Sequence, residues 1–252
     1  MGNSLPTLLS RLKDLRLPEE VKVLIVVQRY DERIDTSDVP EKITIVNSDS
    51  IGLSRSRNIA LANVDTDYIW FLDDDVLLRD TDLVDVQSLI SERQANFYRV
   101  QIGCIEYDDR LFKHYKPMPK VRMLNLLQFS SIEIIADLKF IKQNHIRFNE
   151  NIGLGTKFPA NEENNFLLDA WQKGATFEFV PKTLVLHTCN FENRILATDS
   201  IFEIRGATAS RFGALGVLIL IRWLLRFGLK YKKLSYLKSM VRGFFNKYAS
   251  YR

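Results

Sequence analysis

Three consecutive carboxylates, Asp73-Asp74-Asp75, close the apolar stretch YIWFLDDDV (68–76). Adjacent like charges oppose one another's ionisation, so such a run needs a cation or full solvation to be tolerated. Hard oxygen donors suit Mg²⁺ or Mn²⁺, with water and a diphosphate filling the remaining positions. A solvated acidic loop is the bland alternative. The placement favours the metal, because ligands of open α/β sheets bind at the carboxyl ends of strands.

A second acidic pair, Glu162-Glu163, sits in GLGTKFPANEENNFLLDAWQKG. A carboxylate at a helix mouth beside a like-charged neighbour can be tuned as a general base that takes a proton from a hydroxyl. Acids in a first turn also favour the helix dipole without any catalytic role. Arg55 and Arg57 fall near a helix start, where backbone and guanidinium together suit an anionic ligand. Ser54 is placed to cap that helix.

The elements that must position these side chains are legible from periodicity. Leu5, Leu8, Leu9, Leu12 and Leu15 predict a short amphipathic helix. VKVLIVVQ (21–28) reads as a strand buried on both faces, and ITIVN (43–47) as a second. GLSRSRNIALANV turns into a helix, and residues 68–76 form a third strand. Beyond it, DLVDVQSLI predicts a helix, FYRVQIGCIEY a strand, and FSSIEIIADLKFIKQN a strand running into a helix. NEENNFLLDAWQKG predicts a helix stopped by Gly174, and FEFVP and TLVLH two short strands. Strands and helices in this order predict an α/β fold, an open sheet flanked by helices.

The segment GLSRSRNIALANVDTDYIWFLDDDV resembles the nucleotide-binding core of the inverting family 2 glycosyltransferases, which have the GT-A fold with its mostly parallel sheet. The family's Gly-x-Ser-x-x-Arg-Asn stretch is matched by Gly52, Ser54, Arg57 and Asn58, ahead of a strand carrying a DxD motif. The resemblance implies a nucleotide-diphosphate sugar donor and a divalent metal, Mn²⁺ or Mg²⁺, held by Asp75 with Asp73 beside the nucleotide. Which of Asp73, Asp74 and Asp75 ligate stays open. Glu163 matches the family's base, with Glu162 as its neighbour, and His187 after TLVLH stands where GT-A enzymes place a histidine that completes the metal site. A packed or surface histidine is the equal alternative. Gln28, Asn47, Arg55, Arg57, Asn58, Asp73 and Asp74 are the donor-binding candidates, with Asp49 a further one. A basic segment over the leaving group would involve Arg205-Gly206 and Arg211. One departure is the first strand's end, Gln28-Arg29-Tyr30, where the family carries a Pro/Asn-containing loop. The resemblance covers roughly residues 20–190.

With 46% hydrophobic and 26% charged residues, the composition is that of a folded protein. Residues 205–252 hold eleven Lys or Arg and no acid, leaving 24 basic against 31 acidic side chains in 1–204. The expected organisation is therefore a GT-A-like domain, 1–204, and a basic amphipathic helical tail, 205–252. The tail's longest apolar run, Phe212 to Ile221, is ten residues and too short to span a bilayer. Arg211, Arg222, Arg226, Lys230 and Lys233 return to about one helix face, as expected of a helix lying on an anionic membrane surface; a C-terminal helix packed on the body with its arginines facing water is the alternative. A nucleic-acid partner is excluded for want of any recognition module.

The expected acceptor is a glycan or lipid-linked molecule of surface-polysaccharide or glycolipid synthesis. The expected location is cytoplasmic, peripheral on the inner face of the cell membrane. The N-terminus lacks a signal-peptide pattern, and Met1-Gly2-Asn3 is discounted as a myristoylation site because position 6 is Pro6. Cys104 and Cys189 are expected as buried free thiols in a reducing compartment. Two other classes stay open. A nucleotidyltransferase would carry a Gly-rich loop near its first strand, which VVQRYDER lacks. A catalytically silent membrane-associated binding protein would bind donor without turnover.

Overall fold

β-branched runs make the frame. The computed structural model describes residues 5–28, 39–92, 94–190 and 197–251. Met1-Gly2-Asn3, Arg29 and Tyr30 lie outside them. The leading helix is α1 (Leu5–Asp14), and the first two strands, β1 (Val23–Gln28) and β2 (Ile43–Ser48), pair in parallel with Gln28 opposite Ser48. Helix α2 (Leu53–Asn63) leads to β3 (Tyr68–Trp70), and α3 (Asp80–Glu92) to β4 (Phe97–Cys104) and β5 (Tyr107–Leu111). Next come β6 (Ile134–Asp137), α4 (Leu138–Gln143), α5 (Glu162–Gln172) and β7 (Phe177–His187). Three helices follow: α6 (Asp199–Ser210), α7 (Ala214–Tyr231) and α8 (Leu234–Asn246).

The second sheet runs β3-β6-β4-β5, with β7 parallel to β4. The result is a mixed α/β fold with two parallel ladders, β1–β2 and β4–β7, and antiparallel ladders at β3–β6, β4–β6 and β4–β5. β4 is buried along nearly its whole length, including Arg99, whose guanidinium donates to the buried Glu133.

The predicted third strand and the predicted pair FEFVP and TLVLH differ from the observed strands. β3 ends at Trp70, opposite Ile135 of β6, and Asp73 to Asp75 lie in the turn beyond it. A ladder would force successive carboxylates onto both faces of a sheet, whereas a turn lets each reach its own partner. FEFVP and TLVLH are one strand, β7, because the irregularity that Pro181 requires is taken up as a bulge: Arg99 faces Phe179 while Gln101 faces Thr183.

The expectation of free thiols is corrected. Cys104 and Cys189 are both buried, but they are disulfide-bonded, with Cα atoms 5.4 Å apart. The β4–β7 register sets Cys104 opposite His187, which brings Cys189 within reach.

The chain divides into two compact units. One comprises Met1–Ile51, Ser56–Arg147 and Leu167–Glu192; the other comprises Gly52–Arg55, Phe148–Phe166 and Asn193–Arg252. In the first, Tyr98, Val100, Ile135, Val180 and Leu184 centre the core under Tyr68 and Trp70. A buried polar knot lies nearby: Glu133 accepts from Arg99 Nε at 3.0 Å and Tyr115 OH at 2.5 Å, and pairs with Lys113 at 2.9 Å. These partners, with the Ser130 N–H at 2.8 Å, offset part of the cost of burying its charge.

In the second unit, α6 crosses α8 at glycines. A Cβ on Gly206 would stand 1.9 Å from the Met240 carbonyl oxygen, and one on Gly243 1.9 Å from that of Glu203. The expected boundary between residues 204 and 205 falls inside α6. The basic segment is thus no lone helix: Leu220 and Met240 share a core with Phe202 of α6.

Candidate functional site

The acid turn is tethered from two sides within the first unit. Arg11 of α1 donates to the Val76 carbonyl at 3.0 Å and to the carbonyl of Asp74. Arg57 of α2, only 6% exposed, pairs with Asp73 at 3.5 Å. Arg57 therefore holds the acid turn, a role beside its expected one toward an anionic ligand. Asp75 projects further outward and meets His187, Nε2 to Oδ2, at 3.4 Å.

His187 ends β7 in a fixed pose. Its Nδ1 lies 2.8 Å from the Thr188 carbonyl, an atom that can only accept, so Nδ1 carries a proton. The backbone carbonyl of His187 accepts from Ile105 N at 3.1 Å, and Phe112 packs edge-on against the ring at 5.2 Å. The hydrogen bond to Asp75 raises the imidazole to about 9, against the opposing effect of burial. The same bond holds the Asp75 carboxyl below its ordinary value.

Glu106 clamps the next residues, accepting from Cys189 N at 2.8 Å and from the Thr188 hydroxyl. The Cys189 N–H, and after it the Thr188 hydroxyl, hold the Glu106 carboxyl below its ordinary value. Arg11 and Glu106 were not foreseen from the sequence. Each contacts the site across more than sixty residues, and no local pattern marks such a pairing.

Of the remaining candidates in this unit, Gln28 ends β1 and donates to Ser56 Oγ at 2.5 Å. Asn58 is buried on α2, whereas Asn47 and Asp49 are exposed at and just beyond the end of β2.

The second acidic pair belongs to the other unit. Glu162 and Glu163 open α5, Glu162 buried and Glu163 half-buried. Ser54 donates to the Ile152 carbonyl at 2.6 Å instead of capping its own helix. Gly153 explains why: its φ of +107° admits glycine, and a Cβ there would meet Ser54 Oγ at 2.8 Å and Glu162 Cγ at 3.3 Å.

Asn165 fixes the helix start. Its amide donates to the Asn161 carbonyl at 2.8 Å and to Thr208 Oγ1 at 3.0 Å, while Arg211 donates to the Asn165 carbonyl at 2.9 Å. Arg211 also lies over the Tyr248 ring at 4.7 Å. Its expected place in the tail's cationic stripe is corrected on this geometry, because the residue caps α6 and turns into the unit. Gly206 of the expected leaving-group segment is a helix-crossing residue. Arg205 lies over the rings of Phe202 and Phe227, where burial lowers its guanidinium and Glu163 attracts it. Arg55 is exposed and pairs with Glu150 at 3.3 Å.

The structure thus gathers Asp75 with His187, Asp73 with Arg57, and Glu162 with Ser54 and Gly153. Among the described residues, no three His, Cys, Asp or Glu side chains converge to hold a metal by themselves.

A mixed α/β fold with parallel β1–β2 and β4–β7 ladders, and with acids in the turn beyond β3, has the GT-A-like arrangement. Residues 23–160 match the model of glycosyl transferase family 2, and the chain belongs to that family. No curated protein matches the sequence. Among solved structures, S. aureus TarS 1–349 superposes with a TM-score of 0.62 at 17% identity, covering 83% of this chain and 62% of that one. The same fragment in complex with UDP-GlcNAc gives 0.62 at 17% identity, over 82% and 62%. A further S. aureus TarS structure gives 0.57 at 18% identity, over 82% of this chain and 37% of that one. The chain thus spans about three fifths of the TarS fragment.

Proposed function

We propose that this chain is a metal-dependent, inverting glycosyltransferase that moves a sugar from a nucleotide-diphosphate donor to an acceptor hydroxyl. The observation that carries the reading is the Asp75–His187 pair. With Nδ1 protonated toward Thr188, the neutral imidazole would present its Nε2 lone pair beside a carboxylate oxygen. One carboxylate and one imidazole fit Mn²⁺ or Mg²⁺ whose other positions go to diphosphate and water.

Asp75 and His187 would hold the metal, with Asp73, fixed by Arg57, adding negative charge beside it. When bound, the metal neutralises charge on the departing diphosphate. Glu163 accepts the acceptor's hydroxyl proton. The hydroxyl oxygen bonds to the anomeric carbon as the bond from that carbon to the diphosphate oxygen breaks, which inverts the centre. Asn165, bridging Asn161 and Thr208, keeps the start of α5 in place for that transfer. Gln28, Asn47, Arg55, Arg57, Asn58 and Asp74 are the donor-binding candidates.

UDP-sugars are the first donors to try, since the fold relative TarS has been crystallised with UDP-GlcNAc. We assign a glycan or lipid-linked acceptor, and a location on the inner face of the cell membrane reached through the basic C-terminal segment. No helix among the described residues is long and apolar enough to cross a membrane.

Calorimetry with UDP-, GDP-, dTDP- and CMP-sugars, with and without Mn²⁺, tests the assignment. Asp75→Ala should abolish metal-dependent donor binding. Glu163→Gln should retain it while turnover falls roughly 10²–10⁴-fold. Unchanged binding in the first variant, or near-normal turnover in the second, would refute the corresponding role. Donor binding by the native chain without any transfer or hydrolysis would mark a silent binding protein.

A further inference from the structure

One side of α7 packs and the other does not. Gly216, Ile219 and Leu220 are buried, and Trp223, Leu224 and Phe227 pack on the core formed with α6 and α8. On the other side, Val217, Leu218, Ile221, Leu225 and Leu229 are 45, 62, 48, 65 and 79% exposed. At about 100° per residue these five share an arc of roughly 120°. Arg222, Arg226 and Lys230, all exposed and four residues apart, line one edge of that arc. A contiguous apolar stripe of this size in water marks an interaction surface.

We propose that this face of α7 is the lipid-contacting surface of the protein. The helix lies in the plane of an anionic bilayer, with Leu218, Ile221, Leu225 and Leu229 entering the acyl boundary. Arg222, Arg226 and Lys230 meet lipid phosphates at the edge. The inference rests on the proposed membrane role of the C-terminal segment and names the residues that perform it. It also reverses the expected geometry: the stripe enters the lipid and the cations flank it, while the other half of the apolar circumference is consumed by packing.

Charge selects this occupant. Residues 205–252 contain no acid, so a second copy of the face would bring cations against cations without an answering carboxylate. Lipid phosphates answer the cations directly.

The test is flotation of the full chain with vesicles of phosphatidylcholine alone and with 30% phosphatidylglycerol. Three variants accompany it: Leu218→Ser/Leu225→Ser/Leu229→Ser, Arg222→Gln/Arg226→Gln/Lys230→Gln, and Lys116→Gln/Lys120→Gln on an exposed loop as a charge control. All changed side chains are exposed, and an unchanged melting temperature confirms folding.

The native chain should float with anionic vesicles. The leucine variant should lose at least about tenfold in partitioning. The cation variant should lose roughly 100-fold on anionic vesicles and little on neutral ones. The charge control should float like the native chain. Native flotation with an unaffected leucine variant would overturn the α7 assignment alone. Failure of the native chain to float on any vesicle would overturn the membrane role as well. A native dimer that the leucine variant converts to monomer, without vesicle binding, would identify the face as a self-interface and overturn the proposal.

Discussion

His187 and Asp75 share a proton across 3.4 Å, and the proposed metal site would set that pair an opposed task. Without a metal, the shared proton is held by both groups, and the imidazole, raised to about 9, stays protonated at neutral pH. The pair then adds stability that is full between the ordinary carboxyl range and about pH 6.5; it is lost as pH rises through about 9, and again in acid as the lowered Asp75 carboxyl is protonated. A metal requires the neutral imidazole and must displace that proton. Apparent Mn²⁺ affinity should therefore rise with pH up to about 9 and level off above it, while the metal-free protein loses some stability over the same interval. Calorimetry in two buffers of different ionisation enthalpy should register proton release at pH 7.5. Affinity independent of pH would remove His187 from the ligand set. The acids and the histidine were each legible as candidates from residue type and strand position. Their contact was not, because it depends on where β7 ends relative to the turn beyond β3.

Among the helices, the least forgiving contacts are made by residues without side chains. Gly206 and Gly216 of α6 and α7 and Gly243 of α8 bring backbone against backbone: a Cβ on Gly216 would stand 2.2 Å from the Ala209 carbonyl oxygen. Nothing flexible can yield there, so Gly206→Ala should destabilise the protein by about 3 kcal/mol, read from urea unfolding midpoints. Gly228 of α7 offers the contrast. Its Cβ would meet only a Leu237 methyl at 3.4 Å, so Gly228→Ala should be neutral or stabilise by up to about 1 kcal/mol through helix propensity. A Gly206→Ala variant as stable as the native protein would show that the α6–α8 crossing is less tight than the geometry implies. Glycines within a helical pattern are visible in a sequence, but only the crossing distinguishes Gly206 from Gly228. The single strand β7 makes a similar point: Pro181 suggests a break, and the bulge against β4 absorbs it.

At the scale of the whole molecule, covalent closure joins the ends of two neighbouring strands that lie far apart in sequence. The Cys104–Cys189 bond closes an 85-residue separation and secures the end of β7 two residues from His187. Both sulfur-bearing residues are buried, which slows attack by reductants in solution. Thiol titration of the native chain should find no free cysteine, and two after unfolding under reductant. Reducing the bond should lower stability by about 2–5 kcal/mol and loosen metal-dependent donor binding. Two reactive thiols in the native protein would remove this tie. By itself, the sequence determined the order of strands and helices, the acid run, the acidic helix start and the family motif at residues 52–76, because local pattern and residue type encode them. Tertiary structure alone decided the rest: the β4–β7 register that pairs the cysteines, the Asp75–His187 contact, and which half of the apolar circumference of α7 is covered. Periodicity tells which residues share a face, but only neighbours remote in sequence determine what that face meets.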